Sequence, residues 1–514
     1  MSTEYDYIII GAGSAGCVLA NRLSAKPAVR VLLLEAGGPP KDLNHRVPAA
    51  FPRLYKTKAD WAFFTEPQGE LDGRRLYWPR GKTLGGSSAI NAMIYMRGNR
   101  FDYDDWKVRG WSFRELLPYF KRLEHHFLGK SDYHATGGPL NVERRRYTNP
   151  LTHVFVEACK QAGLTENSDF NGAEQEGAGL FDVTCKNGAR HSAADAYLTP
   201  ALSRPNLTVH AEARAHKVLF DRNLAVGVQY RHRGEVKTAH AGRVVLSSGA
   251  VQSPQLLLLS GVGPADHLRR HGIPVQQALP VGHNLWDHLA LPVIYRCKQP
   301  ISLDRAENLL NLAHYLLSRS GPFTSNVAEG GAFVRLMPDA PAPDLQYHFG
   351  PAFFHDHGFD RPRRGHFFTV GPVGVAPRSR GFVGLHSPDP EAAPLIQPNY
   401  LGDRGDLEFF VRAFEHACLL AGQAAFEAYR GEPALHDGLQ SRAEIEGYVR
   451  ANLQTLYHPA GTCSLGKVVD EGLKVYGTEN LYVADASVMP GVVRGNTNVP
   501  TIMVAEKAAE LLVG

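Results

Sequence analysis

The sequence of 514 residues lacks any uninterrupted apolar run of the ~20 residues that a helix needs to cross a bilayer, so no integral membrane segment is expected. Cysteine is scarce. The six residues at 17, 159, 185, 297, 418 and 463, none in a C-x-x-C spacing, make neither a disulfide framework nor a zinc site and point to a reducing interior. A charge surplus is missing too: 55 Lys and Arg stand against 51 Asp and Glu, the +4 balance is spread along the chain, and neither a nucleic-acid nor an anionic-membrane partner is expected. The short basic clusters Arg144 to Arg146 and Arg361 to Arg364 read as solvated loops. No basic stretch followed by an apolar core and a small-residue cleavage site opens the chain, which makes the expected location cytoplasmic. Internal repeats and low-complexity segments are also absent. What remains is a globular chain of two to four domains at the usual ~100–200 residues each.

What is present begins at the N-terminus. Tyr5-Asp6-Tyr7-Ile8-Ile9-Ile10 is a short β-branched run that stops at Gly11-Ala12-Gly13-Ser14-Ala15-Gly16, the pattern of a strand, a tight glycine turn and a helix start. Cys17 to Leu23 carries apolar residues at helical spacing, and Val31 to Leu34 is a second buried strand ended by Glu35, which completes a βαβ unit. The glycines have separate tasks in such a unit: a sharp turn at Gly11, close backbone approach to a pyrophosphate at Gly13, and helix-on-strand packing at Gly16. Free amides and the dipole at the helix N-terminus favour phosphate there. Glu35 follows Gly11 by 24 residues, near the ~20 expected of a carboxylate that takes hydrogen bonds from a ribose diol. The motif alone leaves FAD and NAD open; its place at the start of a chain much longer than one such unit favours a tightly held FAD.

Further elements of the same kind recur. Val244 to Ser248 is a buried strand running into Gly249-Ala250, Leu481 to Ala484 is another ending at Asp485, and a helix follows Asn498-Val499-Pro500. Nucleotide-domain elements therefore stand at the start, middle and end of the chain, and a second domain has to come from the insertions. The expected fold class is α/β: a Rossmann-type FAD-binding domain from 1–40, 80–100, 200–300 and 450–514, and a second α+β substrate domain from 41–79, 101–199 and 301–449. That domain is an antiparallel sheet flanked by helices, with Asp344-Leu345-Gln346-Tyr347-His348-Phe349 as a strand and Leu309 to Leu317 and Asp406 to Leu420 as helices.

Gly81-Lys82-Thr83-Leu84-Gly85-Gly86-Ser87-Ser88-Ala89-Ile90-Asn91 offers adjacent glycines and serines with free amides, a cradle for an anion, and ends in a two-sided hydrogen bonder. The segment resembles the first signature of the glucose-methanol-choline (GMC) flavin oxidoreductases. Gly249-Ala250-Val251-Gln252-Ser253-Pro254 through Ser260-Gly261-Val262-Gly263 resembles the second, and His458-Pro459 and Asn496-Thr497-Asn498 resemble the C-terminal elements. With the N-terminal motif, the likeness spans the whole chain in order; Tyr77 to Lys82 and Ser325 to Glu329 are most similar to the bacterial choline-dehydrogenase-like branch.

The resemblance implies an FAD-dependent alcohol dehydrogenase that oxidises a primary alcohol and passes electrons to a quinone or protein acceptor. An alcohol oxidase using O₂ is the alternative, and a lyase or decarboxylase on the same scaffold is less favoured, since no cysteine stands between Cys297 and Cys418. It implies that Gly11, Gly13, Gly16 and Glu35 hold the AMP half of FAD, that Gly85, Gly86, Ser87 and Asn91 line the pyrophosphate and flavin, and that the Val218 backbone contacts adenine. Asp485 would reach the ribityl and phosphate region, and the helix start at Asn498 and Thr501 would face the flavin pyrimidine edge. His458 would be the catalytic base and Asn496 its partner on the substrate oxygen, because an asparagine cannot take the proton. Ile90 stands where some choline oxidases carry the histidine that attaches the flavin, so the FAD is expected to be non-covalent. Trp61, Tyr457 and Glu329 are candidates for a cation site for choline. The group His348, His355, Asp356 and His357 has no established metal spacing, and no metal is expected.

Overall fold

The computed structural model describes residues 4–513. Its first sheet is parallel through Leu207–His210, Val31–Leu34, Tyr5–Ile10, Glu235–Leu246 and Leu481–Val483. The four residues of Val31–Leu34 and the last four of Tyr5–Ile10 are all buried, as the near-continuous apolar runs require of strands covered on both faces. Glu235–Leu246 is long enough to serve twice: its last residues pair with Tyr5–Ile10 and Leu481–Val483, while its first half runs antiparallel to Leu224–His232, which pairs in turn with Ala213–Asp221.

Register decides where the ligand goes. Ile10 lies opposite both Leu34 and Leu246, and Leu246 lies opposite Val483. Gly11, Glu35, Ser247 and Asp485 therefore leave the sheet along one carboxyl edge, the side on which open α/β sheets form their crevice. The helices Ser14–Leu23 and Asn498–Val513 pack together on this sheet, although they come from opposite ends of the chain. Arg22 pairs with the buried Glu506 at 2.7 Å, the Tyr197 hydroxyl donates to the same carboxylate at 2.8 Å, and the Tyr7 hydroxyl donates to the Leu512 carbonyl at 2.7 Å.

A second, antiparallel sheet runs Arg430–Pro433, Val293–Cys297, Phe367–Gly374, Leu345–Gly350, Gly330–Val334 and Gly177–Leu180, extended by Leu289–Ala290 and Gln454–Thr455. Leu345, Tyr347 and Phe349 share a core with Phe155, Phe410, Phe414 and Val449 from the helices Pro150–Gln161, Arg404–Ala421 and Arg442–Asn452. The alternate residue His348 points the other way, toward a cavity between the two sheets.

The expected domain limits shift in places. Tyr103, Trp111, Leu116 and Phe120 join the core of the nucleotide domain, with Phe113–Leu123 packed on Asn498–Val513. Val293–Cys297 and Gln454–Thr455 belong to the second sheet instead. The expected helix near Leu309 forms as Leu309–Ser318 but does not flank that sheet; only Tyr315 is buried, against Val47 and Ala50. No helix among the described residues is long and apolar enough to cross a membrane.

Candidate active site

One large cavity runs from the carboxyl edge of the parallel sheet to the open face of the antiparallel one, and Gly11, Gly13, Ser14, Glu35, Gly86, Ser87, Asp485, Asn498 and Thr501 line its first half. The helices Ser14–Leu23, Gly249–Leu259 and Asn498–Val513 all begin at this wall. First-turn amides have no acceptor within their own helix, and Gly13 offers no side-chain cap, so the wall presents N–H groups and positive dipole ends to whatever binds. Ser14 Oγ donates to Asn498 Oδ1 at 2.7 Å and ties two of these starts together.

Glycine is required where the loops close on each other. A Cβ at Gly86, whose φ is +51°, would lie 2.6 Å from the Gly13 Cα, and one at Gly16 would lie 1.7 Å from the Gly11 carbonyl oxygen. A Cβ at Gly13 would meet nothing closer than 4.0 Å, which leaves room for a phosphate in front of the helix start. Gly16 and Gly85 stand behind this wall; the Gly85 amide donates to the Ala12 carbonyl at 2.8 Å and shapes it.

Glu35 accepts from the Ala12 amide at 2.9 Å and the Gly37 amide at 2.7 Å, while burial pushes its carboxyl up to about 7. A ribose diol donating to it would supply the solvation that burial removed. Asp485 accepts from the Gly249 amide at 2.9 Å and Ser253 Oγ at 2.5 Å, which fixes the start of Gly249–Leu259. Asn91 Oδ1 accepts from the Met93 amide at 3.0 Å and Arg190 Nη1 at 2.8 Å. This donor set fits an adenine dinucleotide with a diphosphate.

Two expected contacts move. The Val218 amide donates to Ser260 Oγ at 2.9 Å and lies outside the cavity; Ala213, Arg214 and Ala215 line it instead. The strand Ala213–Asp221 bulges between Ala215 and Lys217, just past the residues that line the cavity. Glu329 is also elsewhere: fully buried, it accepts from the Asn149 amide and Thr152 Oγ1 at 2.7 Å and from Ser325 Oγ at 2.6 Å, and it knits loops together. Trp61 lines the cavity, but its ring already has Lys82 Nζ at 4.5 Å and the Arg214 guanidinium at 5.1 Å, the groups beside Glu35 and Ala215.

The other half of the cavity centres on His458. The preceding residue, Tyr457, turns the chain at φ +67°, and the His458 amide donates to Asp287 Oδ1 at 2.7 Å. Thr455 Oγ1 and the Tyr400 hydroxyl both donate to Asp287 Oδ2 at 2.5 Å, so a buried carboxyl, pushed up to about 6, holds the loop. Tyr457 itself bonds His357 through its hydroxyl and Arg80 through its carbonyl.

A directed hydrogen-bond chain sets the imidazole. Gln346 Nε2 donates to Asn496 Oδ1 at 3.3 Å, which leaves Asn496 Nδ2 to donate to His458 Nε2 at 3.3 Å. Nε2 is then an acceptor, the proton sits on Nδ1, and Nδ1 donates to His288 Nδ1 at 3.0 Å. Burial, with the nearby His288, His348 and Arg80, holds His458 well below the ordinary histidine range. Burial likewise pushes His288 down to about 3 and His348 to about 4.

The sequence reading missed Asp287, His288 and Gln346. The signal was an acid and a histidine side by side just before the apolar Leu289-Ala290-Leu291, at the edge of a strand. The histidine-rich group does not assemble: His348 faces the cavity, His355 pairs with Asp360, and His357 bonds Tyr457. Glu124, His126 and His134 do meet elsewhere, but Arg97, Tyr95 and the Ala135 amide already occupy the Glu124 oxygens, and Arg97 supplies the cation there.

Comparison with known proteins agrees with this geometry. The GMC oxidoreductase N-terminal model matches residues 5–290 and the C-terminal model residues 377–505. The chain is 46% identical to the alcohol dehydrogenase (acceptor) of Pseudomonas putida over 99% of this chain and 96% of that one, and 44% identical to human mitochondrial choline dehydrogenase over 99% and 90%. Among solved structures, pyridoxine 4-oxidase from Mesorbium loti superposes with a TM-score of 0.91 at 33% identity, covering 99% of each chain. Two family models that together take in most of the chain, and a cavity built for an adenine dinucleotide beside a neutral buried histidine, place this protein in the GMC oxidoreductase family, as an FAD-dependent enzyme acting on CH–OH donors.

Proposed function

We propose that the chain oxidises a neutral primary alcohol to its aldehyde and passes the electrons to a quinone or protein acceptor. The observation that supports the alcohol chemistry best is the chain from Gln346 through Asn496 and His458 to His288, which presents His458 Nε2 as an acceptor at the cavity wall. An alcohol releases hydride readily only as its hydroxyl proton leaves, and a neutral imidazole is the base for that proton. Burial keeps His458 unprotonated and ready. In the free protein Asn496 Nδ2 donates to His458 Nε2; a bound alcohol would take its place there, giving its hydroxyl hydrogen to Nε2 while Asn496 Nδ2 turns to the alcohol oxygen as negative charge gathers on it. Bound FAD supplies the two-electron acceptor for the hydride. The start of Asn498–Val513 turns its positive dipole end toward the site, where negative charge is favoured. Ile90, buried on the cavity wall, offers no nucleophile, which supports a non-covalent cofactor.

The wall beside His458 is aromatic and apolar: Phe51, Tyr55, Phe354, Leu456 and Tyr457. Among the described residues the carboxylates lining the cavity are Glu35 and Asp485, both engaged with backbone amides, while the Arg80 guanidinium makes the surroundings positive. A trimethylammonium head finds no counter-charge there. This favours a neutral alcohol with an apolar body over choline, and the name of the Pseudomonas putida relative supports an acceptor other than oxygen. The free thiols fit a reducing, cytoplasmic compartment.

Anaerobic mixing with straight-chain alcohols, benzyl alcohol, choline and its neutral analogue 3,3-dimethylbutanol tests the reading. Neutral alcohols should bleach the flavin, with slow reoxidation in air and fast reoxidation by a soluble quinone. Choline reacting faster than its neutral analogue would remove the neutral-substrate reading, and peroxide released at the turnover rate would make the protein an oxidase.

A further inference from the structure

A tight hairpin delivers a buried cation to the back of the cofactor wall. Cys185–Lys186 and Ala189–Arg190 pair antiparallel through Asn187 and Gly188, at φ +54° and +71°, the two-residue turn that Asn-Gly favours. Arg190, at its end, is 2% exposed. Among the described residues its guanidinium meets no carboxylate. Nε donates to the His45 carbonyl at 3.1 Å, Nη1 donates to the Ser88 carbonyl at 3.1 Å and to Asn91 Oδ1 at 2.8 Å, and Nη2 has no partner. Asp195, an acid close enough to act on its charge, is taken by Arg46 at 3.5 Å and by the Ser192 amide and hydroxyl. Arg97 and Arg494, by contrast, meet the buried carboxylates of Glu124 and Asp102. Burial brings Arg190 down to about 10, which leaves it charged at neutral pH.

A buried charge without a counter-ion is destabilising, and a fold that keeps one has an anion to place beside it. The position of Arg190 says which. Ser88 and Asn91 belong to the loop whose Gly86, Ser87, Ile90 and Asn91 line the cavity, so the guanidinium stands one layer behind that wall. Asn91 Oδ1 accepts from Arg190 and from the Met93 amide at 3.0 Å, and two donors on one atom settle which end of the amide is oxygen. The nitrogen end is left for the cavity, polarised as a donor by the cation behind it.

We propose that Arg190 is the fixed positive charge that the bound flavin meets on reduction, acting from behind the wall and through the Asn91 amide, so that it holds the flavin at a higher reduction potential. This rests on reading the loop from Gly85 to Asn91 as the flavin wall. Hydride carries two electrons and one proton from the alcohol carbon while the hydroxyl proton goes separately to His458, so the flavin gains one negative charge. A cation already in place stabilises that charge without reorganisation. The helix start at Asn498 offers about half a unit of positive charge to the same cavity, and Arg190 adds a whole one.

The test uses FAD-replete protein and no alcohol, so its failure is separate from failure of the alcohol reading. Two quantities are measured: the two-electron midpoint potential by dye-coupled anaerobic reduction, and the Kd of sulfite, which adds to oxidised flavin and leaves negative charge on it. Removing one charge at roughly 10 Å through an effective dielectric of about 20 predicts about a tenfold effect. Arg190→Gln should weaken sulfite about tenfold and lower the potential by about 30 mV, the two-electron equivalent. Asn91→Asp keeps an accepting oxygen for Met93 and Arg190 but neutralises the arginine in place, and should move both readouts the same way; it carries the test if Arg190→Gln does not fold. Potentials and sulfite constants equal to the parent's in both variants would overturn the proposal. Loss of FAD affinity with an unchanged potential in the flavin retained would overturn it too, and assign Arg190 to holding the cofactor alone.

Discussion

Replacing His288 separates positioning from chemistry. Its Nδ1 accepts the His458 Nδ1 proton at 3.0 Å, and Asn496 donates to the opposite nitrogen at 3.3 Å, so His288 helps keep the Nε2 lone pair directed at the cavity. Both imidazoles are buried and neutral, and the bond between them is worth about 1–3 kcal/mol, since its loss leaves a buried donor without a partner. His288→Ala should therefore lower kcat/KM by roughly 5- to 150-fold. Burial is the main cause that holds His458 below the ordinary histidine range, and the space an alanine leaves beside it would admit water, so the acid limb of kcat/KM should move up toward neutral pH. His288→Asn places an acceptor Oδ1 near the Nδ1 position and should recover much of the lost rate. Steady-state kinetics across pH on FAD-replete variants read all three effects. If the alanine and asparagine variants fall equally and neither moves the acid limb, His288 is only a packing residue.

Gly86→Ala should yield protein with little bound FAD, because the new Cβ would lie 2.6 Å from the Gly13 Cα in a backbone at φ +51°; the flavin-to-protein absorbance ratio after purification checks it. Acid should destabilise the fold from about pH 6.5 downward. His191, His348 and His436 are pushed down to about 4 and His288 and His357 to about 3, so the unfolded chain takes up protons that the folded one refuses, and stability falls as pH falls below the unfolded histidine value. Glu35, raised to about 7, and Asp287, raised to about 6, act in the opposite sense, with stability lost as pH rises through those values, but they are outnumbered. Thermal melts by circular dichroism at neutral, mildly acidic and acidic pH should show Tm descending, and a flat profile would contradict the assignment. Glu124→Gln strips a buried carboxylate from Arg97 and His134 and should cost about 3–5 kcal/mol in denaturant unfolding.

The parts legible in the sequence were those whose cause is local. A β-branched run followed by spaced glycines dictates strand, turn and helix start, and Gly11, Gly13 and Glu35 stand where that logic puts them. The alternation Leu345, Tyr347, Phe349 likewise gave a strand with one face in the core. Long-range features were not legible. Glu329 looked like a charge available to a ligand, yet it is consumed by Asn149 and Thr152, far away in sequence. Val218, taken from the family resemblance alone, stands three residues past Ala215, where the strand Ala213–Asp221 reaches the cavity. His288 joins the site only because Leu289–Ala290 pairs with Gln454–Thr455, which brings residues 288 and 458 together. The apolar helix at Leu309 was visible as a helix, but its exposure depends on what fails to pack against it.

The central claim is that His458 takes the hydroxyl proton of an alcohol bound against the flavin site. It is tested most directly by the rate of anaerobic flavin bleaching at saturating neutral primary alcohol, for the parent protein and for His458→Ala with equal FAD content. The account expects bleaching in the parent and a loss of about 10²- to 10⁴-fold in the variant. A variant that bleaches within a few-fold of the parent would contradict it.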